Sequence, residues 1–125
     1  MANARLFQFQ YSYERDLVRM PIKITIGDTG APTLTNGKGV VSVVRDSAGK
    51  YTITLKDNFN TMLAMSATIN SGSSAPTAPA INVVSQDVTT AKTVVIQCRD
   101  IAAAAADPAS GEIIMLELVM RNAST

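Results

Sequence analysis

The stretch from Gly39 to Phe59, GVVSVVRDSAGKYTITLKDNF, constrains the fold most, because it joins two apolar-rich runs through a turn. In its second run Tyr51, Ile53 and Leu55 alternate with polar residues, which is the two-residue period of a half-buried strand. The residues from Asp46 to Gly49 are typical of a tight turn. The stretch therefore predicts a β-hairpin whose second strand points these three apolar side chains into a core.

Further segments along the chain have the composition of strands and are separated by turn residues. The run LVRMPIKITI has isoleucines at alternate positions, and Pro21 within it predicts an edge or a bulge at that point. Residues 27–39 are rich in turn-forming residues throughout, and residues 71–79 are predicted as a loop. Residues 100–111 are predicted as a small-residue loop with room for one helical turn. The predicted strands are Leu6 to Tyr11 or Tyr13, then 17–26, 40–45, 50–56, 61–69, 81–87, 93–99 and 112–121, the last a central strand buried on both faces.

About eight strands with turn signals between them predict an all-β fold, an antiparallel β-sandwich that is jelly-roll-like. The length of 125 residues suits a single domain over residues 1–125. Residues 1–16 form either an N-terminal arm or the first strand of that domain. Few charges or prolines protect the predicted strand edges, which favours oligomerisation as a way to cover them.

The residue types exclude several classes of active chemistry. The chain has no histidine, which removes His-based catalysis and His-based metal sites, and we expect no enzyme activity and no cofactor. A net charge of +1 without a basic cluster argues against nucleic-acid binding. Charged residues make up 17% of the chain, below the roughly 25% that is usual, so much of the surface is small and polar and suits contact with protein.

Three polar groups could hold an ion or a phosphate, and each is better interpreted as a turn. Glu14 and Asp16 would share one face of a strand, yet a solvated turn with local ion pairs accounts for them more simply. The oxygens of Asp57, Asn58 and Asn60 lack the spacing of a calcium loop. The residues from Asn36 to Gly39 lack both the spacing and the following helix of a phosphate-binding loop. The sequence therefore predicts no metal site.

The location of the protein is predicted from missing signals. No apolar run approaches 18 residues, and the N-terminus lacks the apolar core of a signal peptide, so we expect synthesis and folding in a cytoplasm, without membrane insertion. Cys98 stands alone within the apolar run TVVIQC, where it is expected to be a small buried side chain.

An aromatic stripe near the N-terminus is the main candidate contact surface. Phe7, Phe9, Tyr11 and Tyr13 alternate with other residues, so an extended chain would present all four on one face. Base stacking and carbohydrate binding remain alternatives, but core packing or a subunit interface is favoured in the absence of surrounding basic residues. The candidate interface residues are Phe7, Phe9, Tyr11, Tyr13, Arg15, Phe59 and Met62.

Three stretches together resemble a known family. They are LFQFQYSYERDLVRMPIKITIGDTGAPTL, GVVSVVRDSAGKYTITLKDNFNTMLAM and TVVIQCRDIAAAAADPASGEIIMLELVMRNAS, and they span nearly the whole chain. The chain resembles the capsid decoration, or cement, proteins of tailed phages. The most specific parts are GKYTITLKDNF and ADPASGE, neither of which is a catalytic motif.

The resemblance implies a jelly-roll-like sandwich that assembles as a homotrimer on the outer surface of a phage head and clamps neighbouring major capsid subunits. Its partners would be copies of itself and the major capsid protein. Two alternatives stay open, a tail or head-fibre subunit of similar fold and a trimeric ligand-binding module of tumour-necrosis-factor-like shape. The latter would normally need an export signal, and an enzyme is the least favoured reading.

Overall fold

The computed structural model describes residues 16–72 and 75–122, which form two four-stranded antiparallel sheets. The strands are β1 Leu17–Ile26, β2 Pro32–Asn36, β3 Val40–Ser47, β4 Lys50–Leu55, β5 Thr61–Asn70, β6 Ala80–Asp87, β7 Thr93–Arg99 and β8 Ile113–Arg121. Sheet A has the order β2-β1-β8-β5, and sheet B has the order β3-β4-β7-β6. The predicted all-β sandwich of eight antiparallel strands is therefore confirmed.

The strand order departs from that of a jelly roll. A jelly roll pairs β2 with β7 and β3 with β6, whereas here β2 pairs with β1 and β3 pairs with β4. These pairings are local hairpins, which short connections favour. The last four strands follow a Greek key, because β8 returns to lie beside β5 after the β6–β7 hairpin.

The core lies between the central strands of the two sheets. Tyr51, Ile53 and Leu55 of β4 are at most 1% exposed, which confirms the inward face predicted from their alternation. They meet the inward side chains of β1, β7 and β8, among them the fully buried Ile24 and Ile96. Burial of each such side chain stabilises the fold by about 1.5–3 kcal/mol. The two sheets are thus held as one rigid sandwich.

Strand β2 corrects the prediction that residues 27–39 are turn throughout. Pro32–Asn36 forms an edge strand that pairs with the end of β1. Its apolar content is limited to Leu34, so the surrounding Gly, Pro and Asn residues masked the pattern. Pro32 stands at the first position of the strand, where a missing N–H is tolerated.

The prediction that Pro21 marks an edge or a bulge is confirmed, because the part of β1 that contains it is an edge. Pro21 belongs to β1, which has neighbours on both sides over part of its length. β2 pairs with β1 only from Lys23 to Ile26, so β8 is the sheet partner beside Pro21. The proline therefore lies where β1 is an edge of the sheet.

Strand β8 is central, as predicted, but it is not buried on both faces. Its residues alternate between buried and half-buried, with Ile114, Leu116, Leu118 and Met120 turned into the core. A sandwich has only two layers, so the other face of a central strand turns outward. Met115 and its outward neighbours are accordingly half-buried on the outer face of sheet A.

Each edge strand of the described sheets has at least one one-residue register shift against its neighbour, and β3 has two. The extra residues include Val41 in β3, Leu63 in β5 and Val84 in β6, and β2 shifts between Leu34 and Asn36. Such bulges twist an edge away from pairing with another chain. The edges are therefore protected by bulges. The count of charges and prolines along the predicted strands gives no sign of them.

Two predictions concern residues outside those described. The residues of the predicted N-terminal strand and its aromatic stripe lie there, and so does Glu14 of the carboxylate pair considered above. Within the described ranges we find no helix of the length and apolarity needed to cross a membrane.

The sandwich has two ends, which we name for what they contain. The loop pole holds residues 27–31, 47–50 and 100–112. The terminal pole holds the start of β1, the end of β8, and residues 56–60 and 88–92.

A fastened loop tip as the candidate binding site

The connection from β7 to β8 forms an ordered turn at the loop pole. Asp100 organises it, because its carboxylate accepts hydrogen bonds from the backbone N–H groups of Ala102 (2.9 Å) and Ala104 (3.0 Å). Its own backbone N–H donates to the carbonyl of Ala104 at 2.9 Å, and Ala103 takes a positive φ of 65°. The Arg99 guanidinium donates to the carbonyl of Ala103 at 3.2 Å. These bonds fix a turn without a helix, as the predicted loop implies.

The tip of this turn is apolar and faces solvent. Ile101 is 97% exposed, and the alanines from Ala102 to Ala105 are also exposed. We call residues 101–105 the apolar tip. Among the described residues, the other exposed large apolar side chains lie on edge strands: Val41, Leu63 and Val84 are bulge residues, and Val44, 53% exposed, is an outward residue of β3 paired with Thr52. Ile101 has no such explanation, so the apolar tip is the unusual surface of the loop pole.

Asp107 fastens the loop that carries the tip to the β3–β4 hairpin. The Arg45 guanidinium donates two hydrogen bonds to the Asp107 carboxylate, at 3.0 and 2.8 Å, and the Gly49 backbone N–H donates a third at 2.7 Å. The bond from Arg45 holds the pKa of Asp107 below its usual range, and the same bond raises the pKa of Arg45. Asp107 is therefore a fixed anion and a poor candidate for an acid or a base.

Tyr51 extends this cluster into the core. Its hydroxyl donates to the carbonyl of Gly30 at 2.9 Å and lies 3.4 Å from a carboxylate oxygen of Asp107. Burial, with Asp107 as a second cause, raises the pKa of Tyr51. Gly30 has a φ of 76°, and a Cβ atom there would lie 2.5 Å from the Asp107 Cγ. The loop at residues 28–30 thus closes against Asp107 because residue 30 has no side chain.

Gly49 allows the second close approach. Its φ is 69°, and a Cβ atom there would lie 2.4 Å from the carbonyl oxygen of Ala106. The buried Gln97 amide donates to the carbonyl of Ala48 at 3.0 Å and to that of Cys98 at 2.9 Å. The hairpin turn, β7 and the base of the tip loop therefore form one packed unit.

Further bonds hold the far side of the loop. The Glu112 side chain is 5% exposed and accepts a hydrogen bond from the Ala109 N–H at 2.6 Å. The Ser110 hydroxyl donates to the Asp28 carboxylate at 3.1 Å. Since the loop is fixed at both ends, the apolar tip would need little further ordering to bind a partner.

Cys98 lies beneath this unit and is fully buried, as predicted. Burial raises the pKa of its thiol to about 12. The thiolate is the reactive form of cysteine, so this side chain has the character of a packing residue.

The remaining candidates from the sequence do not assemble a chemical site. Residues 16–72 and 75–122 contain no group of three or more His, Cys, Asp or Glu side chains that could hold a metal ion. Asp16 immediately precedes β1 and has a φ of 51°. Asn58 and Asn60 belong to the terminal pole, where the Asn58 amide lies 3.4 Å from the carbonyl of Thr89.

The predicted interface residues are only partly described. Phe59 and Met62 lie at the terminal pole and pack, half-buried, against the core. The other five, Phe7, Phe9, Tyr11, Tyr13 and Arg15, lie outside the described residues. A role for any of the seven at an interface stays a prediction. Sequence reasoning missed the apolar tip, whose one signal is a large apolar residue, Ile101, between a turn-forming Asp and a run of alanines.

Comparison of the chain with protein-family models, curated proteins and solved structures gave no match.

Proposed function

We propose that this protein is a structural virion protein that binds the outer surface of an assembled phage capsid and stabilises it by bridging major capsid subunits. The sequence resemblance to decoration proteins supplies the class of partner. The proposal includes synthesis in a host cytoplasm, assembly as a homo-oligomer, with a trimer expected, and no enzymatic step.

The single observation that carries the proposal is the apolar tip. Ile101 is exposed to solvent on a loop that Asp107, Gly49 and Arg99 hold in place. A rigid apolar projection suits docking into a preformed pocket, because neither the loop nor its side chains need much ordering on binding.

Stabilisation would follow from linkage. A protein that binds the assembled shell and not its separated subunits raises the stability of the shell as its occupancy rises. Three copies in one oligomer would engage three sites together, and this avidity would offset a small contact area per copy.

The test measures binding to expanded empty heads of the phage that encodes this chain. The wild-type protein is expected to co-sediment with the heads and to raise their melting temperature. Ile101→Asp should weaken binding by about tenfold or more, since a charge would have to enter an apolar contact, and should leave the melting temperature of the free protein unchanged.

Val41→Asp is the matched control. Val41 is also an exposed apolar side chain, 63% exposed, but it lies on edge strand β3, away from the apolar tip. It should bind heads like the wild type. Equal binding by the wild type and both variants would show that the apolar tip does not contact the head. No binding by the wild type would refute the proposal.

A second measurement separates this function from that of a fibre subunit. A fibre subunit should bind host envelope material and leave the melting temperature of heads unchanged. Sedimentation of the free protein, together with a map of the decorated head, tests the oligomer. Monomers in solution and isolated single copies on the shell would contradict it.

A further inference from the structure

A groove of about 410 Å³ crosses the outer face of sheet A. Strands β1, β8 and β5 form most of it and Asn36 of β2 contributes at one side, with apolar side chains at its floor and polar side chains around its rim. Its main side chains are Pro21 and Lys23 of β1, Met115 and Glu117 of β8, and Ser66 and Thr68 of β5. It is distinct from the apolar tip, which lies beyond the end of sheet B.

The row of outward side chains on β8 is unusually apolar for a solvent-facing surface. Ile113, Met115 and Val119 all point outward and are half-buried, and Glu117 among them is paired with Arg19 at 2.8 Å. The outward positions of the central strand β4 in sheet B are instead Lys50, Thr52 and Thr54. The outward row of β8, at the centre of sheet A, thus has the composition of a covered surface, while the outward residues Arg19, Lys23, Ser66 and Thr68 of the flanking strands are exposed.

The chain itself contains a segment whose pattern matches this surface. In LFQFQYSY, residues 6–13, an extended backbone would place Phe7, Phe9, Tyr11 and Tyr13 on one side. Their spacing would be about 6.6 Å, because each residue of a strand advances about 3.3 Å, and the outward side chains of β8 have the same spacing. Methionine and proline at the groove floor are favourable neighbours of aromatic rings.

The position of residue 16 brings this segment within reach. Asp16 lies at the start of β1, where its carbonyl accepts a hydrogen bond from the Asn122 N–H at 3.1 Å. Its φ of 51° breaks the extended path of the chain just before β1. Residues 14–16 can span about 10 Å, which is the spacing between packed β layers.

We propose that residues 6–13 fold back over the outer face of sheet A of the same chain and fill this groove. If the chain reverses at Asp16, the segment runs antiparallel to β1, so that its end at Tyr13 lies over Arg19 and its start lies toward Thr25. This places Phe9 near Lys23 and Met115. The tyrosine hydroxyls then face the rim, where Lys23, Ser66 and Glu117 offer hydrogen-bond partners. A tether this short favours the segment of the same chain over that of a neighbour, because its effective concentration is in the millimolar range.

Disulfide trapping tests the proposal on the full-length chain at low protein concentration. The double variant Phe9→Cys with Lys23→Cys should form an intramolecular disulfide rapidly under mild oxidation. The control, Phe9→Cys with Thr54→Cys, places the second thiol on the outer face of sheet B and should form it several-fold more slowly. The native Cys98 is buried in both variants.

Equal rates for the two pairs would overturn the proposal. Covalent dimers formed by the first pair would also overturn it and would assign the groove to the segment of a second copy. Neither outcome depends on capsid binding, so this test is independent of the proposed function.

Oxidation of Met115 by hydrogen peroxide gives a second readout that does not use a disulfide. Replacing Phe7, Phe9, Tyr11 and Tyr13 together by serine should uncover the groove and speed sulfoxide formation at Met115 several-fold. Met20, which is 5% exposed in the core, provides the internal control. An unchanged rate at Met115 would contradict the proposal.

Discussion

The two poles of the sandwich are closed in different ways. At the loop pole, charged side chains join segments far apart in sequence, as Asp107 does with Arg45 and Gly49, in addition to backbone bonds such as that from Gly111 N–H to the carbonyl of Ile26 at 2.7 Å. At the terminal pole, backbone groups make the shorter long-range links, with Phe59 N–H donating to the carbonyl of Val88 at 2.8 Å and Asn60 N–H to that of Arg121 at 3.0 Å, and the Asn58 amide adds one longer side-chain bond to Thr89. The Asp87 carboxylate there bonds within its own turn, to Thr89 and Thr90.

The difference teaches where single substitutions should matter. A backbone hydrogen bond survives most changes of side chain, whereas a bond to a carboxylate is lost with that carboxylate. The loop pole should therefore be sensitive to substitution and to pH, and the terminal pole should be more tolerant. This asymmetry supports the proposal that the binding surface lies at the loop pole.

The largest expected effect lies in the core that both poles share. Ile53→Asp should abolish soluble folding, a loss of about 5 kcal/mol or more, because it buries an unpaired charge at a position with no exposed surface. Thr54→Asp on the outward side of the same strand is the control and should remain folded. Circular dichroism and chemical denaturation measure both. An Ile53→Asp protein that melts like the wild type would refute the inward assignment of β4.

The next largest effect distinguishes two costs of replacing a glycine at the loop pole, the steric clash of an added Cβ atom and the strain of a positive φ. Gly49 and Gly72 have nearly equal φ values, 69° and 68°, but a Cβ atom would meet the Ala106 carbonyl at Gly49 and nothing within 4 Å at Gly72. Gly72→Ala should therefore cost about 1 kcal/mol, the cost of a left-handed alanine. Gly49→Ala should cost about 1–3 kcal/mol more, because the loop must move. Urea denaturation measures the loss of unfolding free energy in both variants. Equal losses would show that the loop moves away from residue 49 at little cost.

The smallest effect compares one carboxylate from each pole. Asp107→Asn should cost about 2 kcal/mol at neutral pH through weakened bonds to Arg45 and Gly49. Asp87→Asn should lower the melting temperature less, because its bonds lie within one turn. In both residues hydrogen bonds lower the pKa of the folded state, those from Arg45 for Asp107 and chiefly that from Thr90 for Asp87.

The pH dependence follows from that direction. A carboxylate with a lowered folded pKa contributes its full stability above the unfolded pKa of about 3.9, and that contribution is lost as the pH falls through the folded pKa. The gap in melting temperature between wild type and Asp107→Asn should therefore narrow below about pH 4. Melting curves from pH 7 to pH 2.5 measure this gap, and a gap that stays constant would assign the loss to packing.

Alternation along the chain predicted most of the strands well. The inward face of β4 could be derived from Tyr51, Ile53 and Leu55 because a pleated strand turns every second side chain to one side. β2 escaped detection since Leu34 alone gives no period, and only its pairing with β1 makes it a strand. The prediction overestimated the burial of the outward face of β8. An apolar run by itself does not show whether one or both faces of a strand will be covered by other layers.

The candidate site was less accessible to sequence reasoning. The loop at residues 100–111 was predicted, but the alanine run gave no sign that Ile101 would be exposed. That exposure depends on where the loop is anchored, and its anchor Asp107 lies 62 residues from Arg45 in the sequence. No local pattern reports a contact of that range.

The sequence by itself determined the class of this protein, an all-β chain without histidine chemistry, because side-chain alternation and residue type are local properties. The tertiary structure alone decided the strand order, the bulged edges and the two unlike poles, because each arises from pairing between distant segments. The apolar tip and the groove on the outer face of sheet A belong to this second group. Whether a side chain is exposed depends on which distant segments pack against it in the folded chain.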